Sequence, residues 1–173
     1  MVESFESRSG TTLFEVLGFP RVINEKAART VAGVVAVTGA VALATGWHWL
    51  LIPLAYGFWA RVLTGPKLSP LALFATKVAA PRLGPPKEVA GPPKRFAQGM
   101  GAAMTTLGVI AFALGWTTAT TVLLAMLVVA ATLESAFALC LGCQVFAALM
   151  RAGIVPETVC VECADIGRRF VRA

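Results

Sequence analysis

Charged residues are almost absent from two long stretches of this chain. Residues 30–63 contain Arg61 as their one charged side chain, and residues 96–150 contain only Glu134. The mean hydropathy of +0.77 and the hydrophobic share of 57% lie above the values of soluble domains. Although the net charge is +6, no stripe of Lys and Arg alternates with aromatic residues, which argues against nucleic-acid binding. The sequence therefore predicts an integral membrane protein.

The apolar stretches divide into four segments that can each cross a bilayer. A hydrocarbon core of about 30 Å needs about 20 helical residues. Gly46 divides the first stretch, because one unbroken helix over residues 30–63 would be far too long. The predicted spans are residues 30–45, 47–63, 96–116 and 118–138. The predicted fold is all-α, an integral membrane bundle of four transmembrane helices with a short interfacial helix and a C-terminal cytoplasmic helix.

A proline-rich segment separates the second and third spans. Ser69 and Pro70 can start a short helix that lies on the membrane as far as Ala80. The string Gly-Pro-Pro-Lys, at residues 84–87 and again at 91–94, favours extended backbone because proline fixes φ and removes a donor. The expected organisation is a polar arm, a membrane domain with a cytoplasmic loop at 64–95, and a cysteine-containing tail, over residues 1–29, 30–150 and 151–173.

The positions of the basic residues predict how the chain is oriented. The 15 Lys and Arg residues fall in the N-terminal arm, the middle segment and the C-terminal tail, apart from Arg61 at the end of the second span, and the two other turns contain none. Short basic segments stay on the cytoplasmic side. This predicts a multi-pass protein of the cell inner membrane with both termini cytoplasmic. Arg61 is expected to extend to the inner interface, and Lys94 and Arg95 to contact headgroups or the loop.

The four cysteines form two pairs, Cys140 with Cys143 and Cys160 with Cys163, with a spacing typical of zinc sites. One interpretation is thiol–disulfide exchange or sulfur transfer at the cytoplasmic face. The first pair then reacts, the second acts as a relay, and a thioredoxin-like or sulfurtransferase protein is the partner. The alternative is a non-enzymatic membrane scaffold in which all four cysteines hold a zinc or iron ion. A third interpretation is simple burial of small apolar side chains.

The exchange interpretation needs a source of thiolate activation. Neither pair has an adjacent Lys, Arg or His, Glu162 is next to Cys163, and Cys140 follows an apolar stretch. These features favour the thiol over the thiolate. Only a helix that starts close to a cysteine would oppose them, because its free N–H groups stabilise an anion. Cys140 and Cys143 are expected just beyond the fourth span, with the following turns projecting into the cytoplasm.

Glu134 is the one acidic residue inside a predicted span. Carboxylates within a membrane are costly and often mark a functional site, so Glu134 is a candidate proton acceptor for the cysteines. It could equally form a buried ion pair with Lys94 or Arg95 at the start of the third span.

Three strings carry a resemblance to a known family. They are Asn-Glu-Lys-Ala-Ala-Arg at residues 24–29, Gly-Pro-Pro-Lys-Arg-Phe-Ala-Gln-Gly at residues 91–99, and the segment from Glu134 to the Cys-Leu-Gly-Cys of residues 140–143. They resemble the bacterial membrane proteins grouped as domain of unknown function 4395. The resemblance implies an integral membrane protein, and it supplies no reaction. The motif residues it implies are Lys94, Arg95, Phe96, Gln98, Glu134, Cys140 and Cys143. The pair Cys160 and Cys163 lies outside it.

Overall fold

The computed structural model describes Pro20 and residues 22–155, most of which are helical. In chain order the elements are β1 (Val22–Asn24), α1 (Glu25–Thr45), α2 (Leu51–Thr64), α3 (Pro70–Phe74), α4 (Ala80–Arg82), β2 (Glu88–Ala90), α5 (Gly91–Ala113), α6 (Thr117–Phe137) and α7 (Leu141–Arg151). A 3₁₀ turn, His48–Leu50, precedes α2, and a π-helical turn, Ala75–Ala79, joins α3 to α4.

Three helices, α1, α5 and α6, are long and apolar enough to cross a membrane. They contain 21, 23 and 21 residues. Many of their large apolar side chains are exposed on the outside of the bundle, as lipid-facing side chains are. These helices are those of a multi-pass membrane protein.

The second predicted span is shorter than the sequence indicated. Instead of one helix over residues 47–63, a 3₁₀ turn leads into the 14-residue α2. Pro53 explains the difference. Proline lacks an N–H group and its ring clashes with the carbonyl four residues earlier, so an α-helix accommodates it only in the first turn.

The four longest helices pack mainly as two antiparallel pairs. Helix α1 packs mainly against α6, α2 packs against α5, and α5 also contacts α6 and α7. The largest fully buried side chains include Leu51 and Leu124. Leu51 lies over Gly108, where a Cβ atom would be 3.2 Å from its Cδ1 atom. At the same end of the bundle, the His48 ring lies 6.0 Å from that of Phe112, near the end of α5.

The segment between α2 and α5 differs in part from the sequence prediction. Ser69 accepts a hydrogen bond from the Ala72 amide and Pro70 starts α3, as expected of a helix start. The helical path then continues to Arg82 and packs against α1. The second Gly-Pro-Pro-Lys string is helical and forms the first turn of α5, so its predicted extended conformation is wrong. Prolines are well tolerated there, because the first N–H groups of a helix have no partner within it.

A small antiparallel sheet was not predicted. Strand β1 pairs with β2 so that Val22 lies opposite Ala90 and Asn24 opposite Glu88. Strands of three residues are too short to show an alternating apolar pattern, and their pairing depends on contacts distant in sequence. The sheet brings the start of α1 next to the start of α5.

The chain changes direction directly after α6. Ala138 adopts a left-handed conformation with φ of 57°, and α7 then folds back against α5. The turns that were predicted to project into the cytoplasm therefore form a separate helix that packs against α5. Arg29 of α1 fixes the end of α6, since its Nε and Nη2 atoms donate to the Ser135 carbonyl at 3.0 and 2.9 Å. A cation at this position satisfies carbonyls that a helix terminus leaves free.

Candidate functional site

Cys140 lies at the first position of a new helix. It is the N-cap of α7, with extended backbone angles, and its Sγ atom accepts a hydrogen bond from the Cys143 amide at 3.3 Å. This is the geometry that Ser or Asp adopts when it caps a helix. The sequence placed both cysteines just beyond the fourth span and identified no helix start next to Cys140. The break at Ala138 instead gives Cys140 the helix start that thiolate activation requires.

The two cysteines of the pair have close sulfur atoms but differ in residue exposure. The Cys143 Sγ atom donates to the Cys140 Sγ atom at a distance of 2.6 Å, and both residues are free cysteines. Cys140 is 7% exposed, whereas Cys143 is half-buried. Oxidation of the pair by a two-electron acceptor would join the two sulfurs in a disulfide bond, and Cys143 is the more exposed of the two residues.

The two thiols have shifted pKa values of opposite direction. The hydrogen bond from Cys143 lowers the pKa of Cys140 against the opposing effects of burial and of the negative charge of Glu134. The positive charge of Lys94 and the amide of Cys143 also lower it. The same hydrogen bond raises the pKa of Cys143, because a donor must keep its proton, and burial adds to the effect. Cys140 is therefore the sulfur that ionises first.

Gly142 allows α7 to approach α5 closely. A Cβ atom at this position would lie 2.6 Å from the Ala97 Cα atom, far inside ordinary contact distance. Near the same contact, the Phe96 and Phe146 rings lie 5.7 Å apart. The glycine between the two cysteines thus has a packing role that holds the start of α7 against the bundle.

A buried ion pair lies next to the cysteines. The Lys94 Nζ atom binds the Glu134 Oε1 atom, and the side chains of the two residues are 8% and 15% exposed. The sequence left two partners open for Glu134, and the structure pairs it with Lys94. Of the two residues expected to contact headgroups, Lys94 is therefore buried against Glu134, and Arg95 is exposed and donates to the Val62 carbonyl at 3.0 Å.

Arg61 is part of the same buried polar region. It is 5% exposed, its Nε atom donates to the Gln98 Oε1 atom at 2.8 Å, and its guanidinium group lies 4.6 Å from the centre of the Phe58 ring. The expectation that Arg61 extends to the interface is wrong. Its position near the end of an apolar stretch allows both outcomes, and only the packing of α2 against α5 decides between them.

The second cysteine pair lies outside the described residues. The four-cysteine metal site and the relay role of Cys160 and Cys163 therefore stay predictions. Within residues 22–155 no group of three or more His, Cys, Asp or Glu side chains could hold a metal ion. The sequence analysis did not assign Arg61 to the site, although its position as the one charged residue in residues 30–63 could have indicated it. Nothing comparable in the sequence indicates the roles of Arg29 and Gly142.

The match to a known family covers the residues of this site. The family model described as domain of unknown function (DUF4395) matches residues 23–151. The chain belongs to this family. The matched range includes Arg61, Lys94, Glu134, Cys140 and Cys143, and it ends before Cys160. No curated protein and no solved structure matches the chain.

Proposed function

We propose that this protein carries out thiol–disulfide exchange at the cytoplasmic face of the inner membrane, with Cys140 and Cys143 as the reacting pair. The observation that carries the proposal is the position of Cys140 at the start of α7, 2.6 Å from the second sulfur. A cysteine at a helix start with a second cysteine three residues on combines a stabilised thiolate with a partner thiol that can close a disulfide.

The difference in exposure assigns a role to each sulfur. In the oxidised protein, a thiolate of the soluble partner attacks the more accessible Cys143 sulfur, and the bond to Cys140 breaks. Cys140 leaves as a thiolate, and its lowered pKa makes it a good leaving group. A second thiol of the partner then attacks the mixed disulfide. The partner loses two electrons and two protons, and Cys140 and Cys143 are left reduced.

Exchange fits the closeness of the two sulfurs better than sulfur transfer does. A persulfide on Cys140 would lie within reach of Cys143, which would displace the outer sulfur as sulfide and form the disulfide. The expected partner is a thioredoxin-like protein. In this account Cys160 and Cys163 transfer electrons between that partner and the first pair, and Glu134 is a proton acceptor that its ion pair with Lys94 holds near the cysteines.

The proposed topology places the cysteine pair inside the cell. Helices α1, α5 and α6 cross the bilayer, and α2 with its preceding 3₁₀ turn forms the fourth crossing. The two charge-free turns near His48 and Gly115 lie at one end of the bundle, and the basic loop and the cysteines lie at the other. The positive-inside rule makes this second end cytoplasmic.

A redox titration tests the proposal. The variant Cys160→Ser/Cys163→Ser, in mild detergent, is equilibrated with mixtures of reduced and oxidised dithiothreitol and then trapped with a maleimide that adds a large mass. As the mixture becomes more oxidising, we expect the number of modified thiols per chain to fall from two to none without a populated state of one, because disulfide formation is a two-electron step. Two free thiols at every ratio would exclude a redox-active pair.

A further inference from the structure

An apolar cavity in the bundle reaches Cys140. Its volume is about 180 Å³, and it lies between α1, α2, α5 and α6. Its walls include Val31, Phe58 and Leu127, and Cys140 also lines it. A cavity of about 150 Å³ lined by apolar side chains holds a benzene ring. This cavity therefore has room for a six-membered ring next to the buried sulfur of the pair.

The cavity opens toward the lipid-facing side of the bundle. Met100 of α5 and Met126 of α6 both line it, and both are exposed on the outside of the described residues. An apolar side chain on the outside of a membrane helix faces lipid. Since Met126 lies in the middle of α6, a ligand can enter here from the hydrocarbon layer. Such a ligand must itself be soluble in lipid.

Arg61 provides hydrogen-bond donors at the polar end of the cavity. Its Nε atom is bound to Gln98, and its Nη1 and Nη2 atoms have no hydrogen-bond partner among the described residues. Within that part of the chain no fully buried polar side-chain atom is left without a partner. The two Nη atoms must therefore border open space, and Arg61 lines both this cavity and a neighbouring one of about 280 Å³. A guanidinium group on the wall of this cavity can donate to an oxygen atom of a ligand bound there.

The charged side chains around the cavity favour a ligand that gains negative charge when it accepts electrons. Arg61 and Lys94 are both buried, and in this polar region they face the single carboxylate of Glu134. A buried charge needs a partner, because its transfer out of water is costly. The thiolate of Cys140 can supply the second negative charge in the reduced protein. Once Cys140 transfers its electrons, the excess positive charge stabilises negative charge on the ligand instead.

We propose that this cavity binds a lipid-soluble quinone, which accepts the electrons of the reduced Cys140–Cys143 pair. A quinone ring matches the size and apolar character of the cavity, and its two carbonyl oxygens match the donors of Arg61. The quinone also explains why the sulfur that ionises first is the less exposed one. Cys140 faces a small ligand inside the bundle, and Cys143 faces the soluble partner. This inference rests on the exchange function proposed above.

The reaction balances without a further reactant. The Cys140 thiolate adds to a ring carbon, which forms a C–S bond and places negative charge on an oxygen close to Arg61. The Cys143 thiol loses its proton to solvent and attacks the Cys140 sulfur. The S–S bond forms as the C–S bond breaks, the electron pair of the C–S bond passes into the ring, and the two oxygens take up two protons from solvent. Two thiols become one disulfide, and one quinone becomes one hydroquinone.

The test uses the full chain in mild detergent under argon, with a decyl-tailed benzoquinone as the probe. The reduced variant Cys160→Ser/Cys163→Ser is mixed with the quinone, and hydroquinone formation and thiol loss are measured together. We expect one hydroquinone for every two thiols lost. Cys140→Ser in the same background is expected to abolish the reaction. Exchange with oxidised glutathione is measured on each sample, because it reports the cysteine pair without the cavity.

Two variants separate the cavity from the cysteines. Arg61→Gln removes the guanidinium group and its charge, and we expect quinone reduction to slow by about 100-fold, as for the loss of an oxyanion donor. Ala130→Phe fills the cavity from α6 and is expected to slow the same reaction without touching Arg61. In Ala130→Phe exchange with oxidised glutathione should remain at its original rate, which also shows that this variant is folded. In Arg61→Gln quinone reduction should slow by a larger factor than glutathione exchange does.

The outcomes distinguish this inference from the function on which it rests. If the protein exchanges with glutathione but does not reduce the quinone, the quinone site is excluded and the exchange function stands. If Arg61→Gln and Ala130→Phe both reduce the quinone at the original rate, the quinone reacts outside the cavity, and the proposed site is likewise excluded. If neither glutathione nor quinone reacts, the exchange function itself fails, and the quinone proposal fails with it.

Discussion

At the scale of single residues, the reactivity of Cys140 depends on a hydrogen bond that its neighbour donates. The Cys143 Sγ atom donates to the Cys140 Sγ atom, and the Cys143 amide donates to the same sulfur. Both bonds are stronger to a thiolate than to a thiol. The lowered pKa of Cys140 is therefore a property of the helix start and not of Cys140 alone.

The pH dependence of alkylation tests this assignment. Because only the thiolate reacts, the rate at Cys140 should reach half its maximum below the ordinary thiol pKa of about 8.5, and the rate at Cys143 above it. Mass spectrometry of the two peptides after short treatment with N-ethylmaleimide gives both rates. In Cys143→Ala the Sγ donor is lost, so the midpoint for Cys140 should move upward. An unchanged midpoint would mean that this hydrogen bond does not set the pKa.

The pair of Lys94 and Glu134 should be worth more to stability than a surface ion pair, because both side chains are largely buried. Lys94→Met leaves the Glu134 carboxylate without its partner, and we expect a loss of about 3 kcal/mol in the free energy of unfolding. Chemical denaturation in mild detergent measures it. The double variant Lys94→Met/Glu134→Met should recover most of the loss. Equal losses in the single and double variants would contradict an interaction between these two groups.

At the scale of elements, the position of α7 is the feature that creates the site. Its start is fixed by close contact of Gly142 with Ala97 and by the rings of Phe96 and Phe146. The spacing of three residues between Cys140 and Cys143 predicted that their sulfurs lie near one another, because residues three apart share one face of a helix. The return of α7 toward α5 does not follow, because it depends on the left-handed turn at Ala138, a residue type that rarely adopts that conformation.

Gly142→Ala should therefore weaken the docking of α7. The added Cβ atom would lie 2.6 Å from the Ala97 Cα atom, a backbone atom that cannot move easily. We expect a cost of about 1–3 kcal/mol, typical of an added methyl group in a packed contact. The control is Gly99→Ala in α5, where an added Cβ meets no atom within 4 Å in the described structure. That change should be neutral or slightly stabilising, and equal melting temperatures for the two variants would contradict the contact.

At the scale of the whole molecule, the sequence predicted the helical membrane class, and three of its four predicted spans correspond to long apolar helices. Hydropathy identifies segments that are removed from water, and a segment of about 20 apolar residues is long enough to cross a bilayer as a helix. Hydropathy does not distinguish a residue that faces lipid from one that faces the bundle. This is why Arg61 was expected at the interface and is instead bound to Gln98, and why Lys94 is buried with Glu134.

Labelling from outside intact cells tests the proposed topology. Single cysteines are placed at Leu83, in the basic segment, and at Thr118, next to a charge-free turn, in a chain whose native cysteines are replaced by serine. Both positions are exposed. A membrane-impermeant maleimide should label Thr118→Cys and should label Leu83→Cys only after lysis. The reverse pattern would place the cysteine pair outside the cell and exclude a cytosolic partner.

The central claim is that Cys143 receives the soluble partner while Cys140 leaves. Trapping measures this directly. A thioredoxin variant that retains its attacking cysteine and lacks the resolving one, activated as a mixed disulfide with thionitrobenzoate, is mixed with each single variant in the Cys160→Ser/Cys163→Ser background. Cys140→Ser keeps the accessible sulfur and should form a covalent complex rapidly, and Cys143→Ser should form it at least tenfold more slowly because Cys140 is buried. Faster trapping at Cys140, or none at either cysteine, would contradict the account.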